Sequence, residues 1–483
     1  MTKRCRVGFA LMSEHSSFHA ALGLARSLQA RGHEPVFFVD AGTVFPALVR
    51  KHGFRVADVP AGHDAYFAAP PAITRYRLIR RLKRRAQHVR AEQAYLVDAI
   101  RANGLDLCLL DAVRYDLYPL ALALRTSGVP AMLLSYTFAS RCRLDHPPVF
   151  SSALVSHLPA TAARRFANAA RWAWAIATRG RGDAFSARHY ASMTLGKWLE
   201  QARNTSFERS LRALGVSASW SEWKRRPDLP ELVFGHRALD WPAIAADADR
   251  CYLGVTDLLR TAEAFDASRL DPAHPTVYAN VSTINGFQNI RAEVSGGLPD
   301  LTQPRFRIAK RYVEALVACF TRRPEWQLLL ACGPFASAFE AASLPRNIQV
   351  FERLPQLAVL PHVDTAVTWG GAGTVRECVN DGVPIVVLPA WTDQFGNAAR
   401  VAAAGAGVRG CLDEVTPEAL DALIERTLTD PSFRERVAAL RGSKSVDEEV
   451  ADAIAFIGDR TGVRLDPCHT ETRESSTPLT LAL

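Results

Sequence analysis

The stretch that decides the fold runs from Phe351 to Gly407 and reads FERLPQLAVLPHVDTAVTWGGAGTVRECVNDGVPIVVLPAWTDQFGNAARVAAAGAG. Two short apolar runs within it, Thr365 to Thr368 and Pro384 to Leu388, contain β-branched residues and no charge. Such runs are typical of strands buried in a parallel sheet. A glycine-rich loop and a helix separate them, so we predict a strand–helix–strand unit with a ligand site at the loop.

The loop has the composition of a phosphate site. Three glycines open the helix: Gly370, Gly371 and Gly373. With little side chain in the way, an anion can approach free backbone N–H groups and the positive end of the helix dipole. Glu377 falls one turn later, on the face that reaches a ribose hydroxyl, and Asp393 and Gln394 follow the next strand. Phosphate, ribose and a second polyol together indicate a nucleotide sugar.

The same stretch carries an ordered set of residues over about forty-five positions. The set is Pro355-Gln356, Leu360-Pro361, Gly370-Gly371-Ala372-Gly373-Thr374, Glu377, Gly382-Val383-Pro384, Pro389, Asp393-Gln394 and Asn397-Ala398. In this order the residues resemble the donor-binding signature of family-one glycosyltransferases. The resemblance implies an α/β chain of the GT-B class, with two facing Rossmann-like domains, parallel sheets and an interdomain cleft. It also implies an inverting, metal-independent enzyme without a cofactor other than its sugar donor.

The resemblance assigns roles at the donor end. Backbone N–H groups from Gly371 to Thr374 and the Thr374 hydroxyl would stabilise the departing diphosphate, because they are oriented before the reaction. Gln356 would hold the edge of the base, and Glu377 the ribose. Asp393 with Gln394 would hold the sugar hydroxyls.

Three further positions belong to the expected donor site. Thr283 falls on the small hydroxyl residue that contacts phosphate in relatives. Arg353 occupies the slot of an aromatic residue that stacks on the base, and its planar guanidinium can also stack. Trp369 replaces a histidine that commonly reaches the phosphate, so one charge-assisted contact is lost. For Trp369 a core position beneath the helix is the alternative.

The N-terminal half alternates strands and helices, which predicts a second parallel sheet. A strand at Arg6–Met12 precedes a loop, Ser13–Ser17, and an amphipathic helix from Phe18 to Arg31. We predict an acceptor-binding domain at residues 1–255, a linker at 256–274, a donor domain at 275–460 and a disordered tail at 461–483.

His15 and His19 flank the entry to the first helix and are candidates for the general base that removes the acceptor proton. Asp111, at the end of the strand-like LDLCLLD, fits the orienting carboxylate of the resembling family. Counting back from Arg31 places Ser17 in the family's base slot. Either the loop is shifted along the chain so that a histidine reaches the cleft, or deprotonation of the acceptor hydroxyl is weak or absent. Alternatively, the two histidines are surface residues, and Asp111 only caps the end of its strand.

Composition limits the remaining possibilities. The formal net charge of +9 is modest and favours an anionic partner such as a sugar nucleotide; no nucleic acid partner is expected. Nine cysteines are scattered singly, without CxxC spacing, and no apolar span of membrane length occurs. We therefore expect a cytoplasmic protein. The segment Ala160–Arg181 mixes arginine with tryptophan and is either a membrane-surface element or a helix packed over a hydrophobic acceptor pocket.

The expected activity is transfer of a hexose from a UDP- or dTDP-sugar to a hydroxyl of a hydrophobic small molecule or lipid. The competing interpretation is a catalytically impaired homologue that binds a nucleotide sugar or assists an active transferase. Whether a histidine lies within hydrogen-bond reach of Asp111 distinguishes the two.

Overall fold

The structure is a computed structural model. It describes residues 3–40, 43–59, 94–114, 117–138, 141–149, 161–178, 207–221, 225–256, 264–281, 304–338, 344–390, 393–412 and 414–468.

The N-terminal half is built on a sheet of seven parallel strands in the order β3-β2-β1-β4-β5-β8-β9. The strands are β1 Arg6–Ala10, β2 Glu34–Asp40, β3 Arg55–Val59, β4 Leu107–Asp111, β5 Ala131–Ser135, β8 Glu231–Val233 and β9 Arg250–Tyr252. A small antiparallel pair, β6 Ala218–Trp220 and β7 Arg225–Pro227, precedes β8. All five residues of β4 are buried, as expected for a central strand whose two faces are both covered.

Helices connect these strands in the manner of a doubly wound domain. They are α1 His15–Ala30, α2 Phe45–Lys51, α3 Leu117–Thr126, α4 Ala162–Thr178 and the single turn α5 Pro242–Ala245. Residues 94–103 and 207–213 are also helical.

The C-terminal half is a six-stranded parallel sheet in the order β12-β11-β10-β13-β14-β15. Its strands are β10 Thr276–Asn280, β11 Gln327–Ala331, β12 Ile348–Phe351, β13 Thr365–Thr368, β14 Ile385–Val387 and β15 Gly407–Arg409. Its helices are α6 Pro304–Arg322, α7 Gln356–Val359, α8 Ala372–Asn380, α9 Gln394–Ala404, α10 Pro417–Thr429, α11 Ser432–Arg441 and α12 Val446–Thr461. Thr416 caps α10, accepting a hydrogen bond from the N–H of Ala419 at 3.1 Å.

The last helix and the segment after it return to the N-terminal half. Ala453 and Ile457 of α12 lie in the core that covers the N-terminal sheet. Beyond the helix, Leu465 is fully buried in the same core, and the N–H of Cys468 donates to the carbonyl of Arg31 at 2.8 Å. Leu465 and Cys468 are therefore held against the N-terminal half, whereas the sequence predicted a disordered tail from 461; residues 469–483 lie outside the described part.

The first helix differs from its prediction at one end. Residues 13–17 were expected to form a loop, but α1 already begins at His15, and the N–H of Phe18 bonds to the carbonyl of Glu14 at 3.0 Å. The start was hard to predict because Glu14, the residue before the helix, makes no side-chain cap. The earlier start places His15 and Ser17 on a helix, which fixes their relative directions.

Within the described residues, no helix combines the length and the apolar character needed to cross a membrane.

Candidate active site

The glycine turn lies between the end of β13 and the start of α8. Gly370 has a left-handed backbone with φ of 86°, and Gly371 precedes the first helical residue without a side-chain cap. The first N–H groups of a helix have no partner within it, so the start of α8 presents backbone donors to a ligand. Together with the helix dipole they form a site suited to a diphosphate.

Asn397 of α9 holds the turn in place. Its side-chain amide donates to the carbonyl of Gly370 at 2.8 Å and to the Asp393 carboxylate at 2.8 Å. Asn397 is fully buried. Gly370 itself has no room for a side chain, since a Cβ would lie 2.5 Å from the Cγ1 of Val387.

This packing leads to a prediction for Gly370→Ala. Left-handed strain and the overlap with Val387 together are expected to cost about 2–4 kcal/mol of unfolding free energy, and to weaken binding of a nucleotide sugar. Gly382→Ala is the matched control, because Gly382 has φ of 71° but a Cβ there would meet no atom within 4 Å. Denaturant unfolding and calorimetry with a dTDP-sugar measure both effects. Equal losses in the two variants would show that the overlap with Val387 contributes nothing.

A network of polar side chains lies beside the start of α8. The amide nitrogen of Gln356 donates to the Glu377 carboxylate at 2.5 Å, and the amide oxygen accepts from the hydroxyl of Tyr278 at 2.9 Å. Asn280 donates both to Gln356, at 3.2 Å, and to the Thr374 hydroxyl, at 3.4 Å. The predicted donor residues Gln356, Glu377 and Thr374 are thus brought together.

Two members of this network were absent from the predicted site. Tyr278 and Asn280 stand two residues apart on β10, so their side chains leave the same face of the sheet. The polar residues at alternate positions near the end of that strand were the sequence feature from which this part of the site could have been predicted. The Oδ1 atom of Asn280 is buried and has no hydrogen-bond partner among the described residues.

Three more residues of the predicted donor site, Asp393, Gln394 and Arg353, also lie in the described part of the structure. Asp393 immediately precedes α9, and the Gln394 side chain is buried and accepts from the N–H of Ala390 at 2.9 Å. Arg353 is exposed after β12. Thr283 lies outside the described residues.

Trp369 lies in the hydrophobic core of the C-terminal half. Its indole is 1% exposed and packs edge-on against Tyr312, with ring centroids 5.9 Å apart. This is the core position that the sequence left open as the alternative to a phosphate contact.

On the N-terminal side, Asp111 is fully buried at the end of β4. Its carboxylate accepts from the N–H groups of Met12 and Val113, each at 3.0 Å, and from the Ser17 hydroxyl at 3.1 Å. Burial raises the pKa of Asp111 above its ordinary value of 3.8, although these hydrogen bonds act in the opposite direction. The side chain bonded to Asp111 is therefore that of Ser17, the residue that the count from Arg31 places in the family's base slot.

The helix explains why neither candidate histidine takes that position. Residues two apart on an α-helix point in nearly opposite directions, whereas residues four apart share a face. Ser17 faces Asp111, so His15 and His19 share another face of α1. Their ring centroids lie 5.6 Å apart, and the ring of His15 lies 5.1 Å from that of Phe45.

A further polar group on this side was not predicted from the sequence. Tyr136 follows β5, and its ring stacks on Phe234 with centroids 5.4 Å apart. Its hydroxyl is buried and has no hydrogen-bond partner among the described residues. Burial and the nearby charge of Asp111 raise the pKa of Tyr136 well above its ordinary value, so the group is a neutral donor.

Helix α4 falls within the segment for which two interpretations were open. Trp172 is buried and donates its indole N–H to the carbonyl of His146 at 2.8 Å. Phe166 and Trp174 are 78% and 67% exposed. The helix therefore packs on the domain through one face and presents bulky residues on another; contact with a membrane stays a prediction.

A known family and several curated relatives match part of this chain. Residues 334–455 match the family of the erythromycin biosynthesis protein CIII-like C-terminal domain. Demethyllactenocin mycarosyltransferase of Streptomyces fradiae is 37% identical over 128 residues, which are 26% of this chain and 28% of that protein. The chain spans less than a third of the length of the first three curated relatives, at 28%, 31% and 29%.

Similarity to solved structures extends over nearly the full chain. The glycotransferase of kitacinnamycin superposes with a TM-score of 0.61 at 21% identity, covering 95% of this chain and 100% of that one. The glycosyltransferase VinC in complex with DTDP gives a TM-score of 0.58 at 17% identity, covering 94% and 100%. At these identities the likeness concerns the fold, and it confirms the predicted fold class of two Rossmann-like domains with parallel sheets.

Proposed function

We propose that this chain is a family-one GT-B glycosyltransferase that transfers a hexose from a dTDP- or UDP-sugar to a hydroxyl of a hydrophobic small molecule. The observation that carries the proposal is the glycine-lined start of α8 beside the hydrogen-bonded pair of Gln356 and the buried Glu377. An anion site one helical turn from a buried carboxylate fits a diphosphate joined to a ribose. The presence of DTDP in the VinC complex supports the same ligand class.

Stabilisation of the leaving group follows from the position of that helix start. As the sugar–phosphate bond breaks, negative charge develops on the diphosphate, and the N–H groups of the first turn are already directed at it. The Thr374 hydroxyl adds a donor whose position is set by Asn280 at 3.4 Å. Stabilisation by these hydrogen-bond donors does not require a metal ion, so we expect the transfer rate to be unchanged by EDTA.

Inversion requires the acceptor oxygen to attack the anomeric carbon from the face opposite the diphosphate. The acceptor proton must leave as the new bond forms. We place it on the buried Asp111 carboxylate by way of the Ser17 hydroxyl, which gives its own proton to Asp111 and receives that of the acceptor. His15 and His19 remain the candidate alternatives. Ser17→Ala, His15→Ala and His19→Ala, each assayed for transfer, identify the group that is needed.

The experiment that tests the activity uses the purified full chain with a panel of dTDP- and UDP-hexoses. Nucleotide release is measured with and without hydroxylated macrolactones and sterols, and the anomeric configuration of any product is determined by NMR. We expect acceptor-dependent release with inverted configuration. Donor binding without any product in all combinations would leave only the competing function.

That competing function is a catalytically impaired homologue that binds a nucleotide sugar. Two observations favour it: Asp111 is bonded to Ser17 in place of an imidazole, and Trp369 occupies the core in place of a phosphate-contacting histidine. Binding measured by calorimetry, combined with the absence of turnover, would assign this function.

A further inference from the structure

Helix α9 contacts both the donor site and the acceptor domain. One side carries Asn397, which bonds to the Gly370 turn. The other side packs on the N-terminal half, where Ala399 lies against Trp241 and Ile244 in a small hydrophobic cluster. The same helix therefore contacts the N-terminal half and carries Asn397, which holds the glycine turn of the C-terminal half in place.

The contact between the domains contains a buried ion pair. Arg400, one turn after Asn397, donates to one oxygen of Asp240 through Nε at 3.0 Å and through Nη2 at 2.9 Å. The side chains are 1% and 0% exposed. The guanidinium also lies over the rings of Phe138 and Trp241, at 5.0 and 4.8 Å from their centroids.

Asp240 is held by its own domain. Its second oxygen accepts from the hydroxyl of Tyr252 at 2.8 Å, and the N–H of Trp241 donates to the first at 2.8 Å. Arg250 lies 3.7 Å from the carboxylate. Because these partners belong to the N-terminal half, the position of the Asp240 carboxylate is fixed independently of Arg400.

Neighbouring contacts show how closely the two halves approach here. A Cβ at Gly396 would lie 2.1 Å from the carbonyl oxygen of Val149. From α8, Arg376 donates to the carbonyl of Phe234 at 3.0 Å, and Asn380 to that of Gly254 at 3.1 Å. The two helices that form the donor site are thus both bonded to the acceptor domain.

We propose that Arg400 is a positioning residue: its bond to Asp240 sets α9, and with it Asp393 and the glycine turn, at the distance from the acceptor domain that transfer requires. A buried ion pair is weak evidence for stability, since desolvation offsets its attraction. A fork of two N–H groups on a fixed carboxylate does, however, define an orientation that apolar packing does not. The kinetic part of this proposal rests on the proposed function.

The test compares Arg400→Met, Asp240→Asn and the double variant with Arg322→Met, a control that removes an exposed arginine paired with Glu418. For Arg400→Met we expect kcat/KM for the acceptor to fall about tenfold to a hundredfold, because a small misplacement is enough to slow transfer. Affinity for the dTDP-sugar is expected to change less than threefold. Arg400→Lys keeps the charge without the fork and is expected to recover only part of the loss.

A second readout does not depend on activity. Small-angle scattering of the ligand-free variants is expected to show a larger radius of gyration for Arg400→Met and for Asp240→Asn than for wild type and Arg322→Met. Unchanged scattering of both variants, or an unchanged kcat/KM in Arg400→Met, would overturn the proposal. A parallel loss of donor affinity and transfer would also overturn it, since that pattern indicates general damage to the fold. If wild type shows no transfer while the scattering difference is present, the proposed function fails and the positioning role stands.

Discussion

Asp111→Asn is expected to lower kcat for transfer by about 10²–10⁴-fold while leaving affinity for the sugar nucleotide unchanged, because a positioned proton acceptor contributes a factor of that size. Asp111 is fully buried and lies on the acceptor side, bonded to Ser17 at 3.1 Å. Donor binding depends on the other domain, so an unchanged affinity would show that the C-terminal half of the variant is intact. Stopped assays of nucleotide release with saturating acceptor measure the effect.

The variant also perturbs structure, so its stability must be measured beside its rate. The two carboxylate oxygens accept from the N–H groups of Met12 and Val113, and an amide in their place would direct its own N–H at one of them. That loss is worth about 1–3 kcal/mol of unfolding free energy. Ser17→Ala leaves the carboxylate and both backbone bonds intact and serves as the milder variant. Retention of wild-type kcat by a folded Asp111→Asn would remove Asp111 from the reaction.

The same residue predicts the pH dependence. The ionised form of Asp111 is the one that accepts a proton, and burial raises its pKa above 3.8. The transfer rate is therefore expected to fall as the pH is lowered through this raised pKa and to be constant above it. In Asp111→Asn the corresponding inflection should disappear. A rate profile with the same inflection in both proteins would point to another group.

Glu377→Ala is expected to lower affinity for a dTDP- or UDP-sugar about 10-fold to 150-fold, the loss that follows from one charge-assisted hydrogen bond of about 1.5–3 kcal/mol. Glu377 is 7% exposed and is held by Gln356 at 2.5 Å. The carboxylate to which a ribose hydroxyl would donate is therefore already held in a fixed position.

Calorimetry with the same donors gives the measurement, and Glu352→Ala provides the control. Glu352 is exposed and lies in the same half of the molecule, so its loss changes the net charge equally. Asp393→Ala is expected to weaken donor binding as well, partly through Asn397, to which the carboxylate is bonded at 2.8 Å. Unchanged affinity in both Glu377→Ala and Asp393→Ala would remove the donor assignment.

Much of the fold was predictable because its signals are local. Strand β13 has the predicted bounds, Thr365–Thr368, and β14 lies within the predicted run Pro384–Leu388, because an apolar run is a property of neighbouring residues. The glycine turn could likewise be found, because Gly370 must adopt a left-handed φ that favours glycine.

The contacts that complete the site join residues far apart in the chain. Ser17 and Asp111 are separated by 94 positions, and Asp240 and Arg400 by 160. Neither pair leaves a local pattern, so whether Ser17 or a histidine faces Asp111 depended on where α1 begins. A start three residues earlier than predicted, at His15, turned Ser17 toward the carboxylate and the histidines elsewhere. Trp369 was similarly ambiguous, because only packing against Tyr312 decides its direction.

The central claim is that the start of α8 binds the diphosphate of a sugar nucleotide, and crystals soaked with dTDP or UDP test it most directly. We expect phosphate oxygens at the N–H groups of residues 371–374, with the ribose at Glu377. Nucleotide bound at any other place, with the glycine turn left vacant, would contradict this claim.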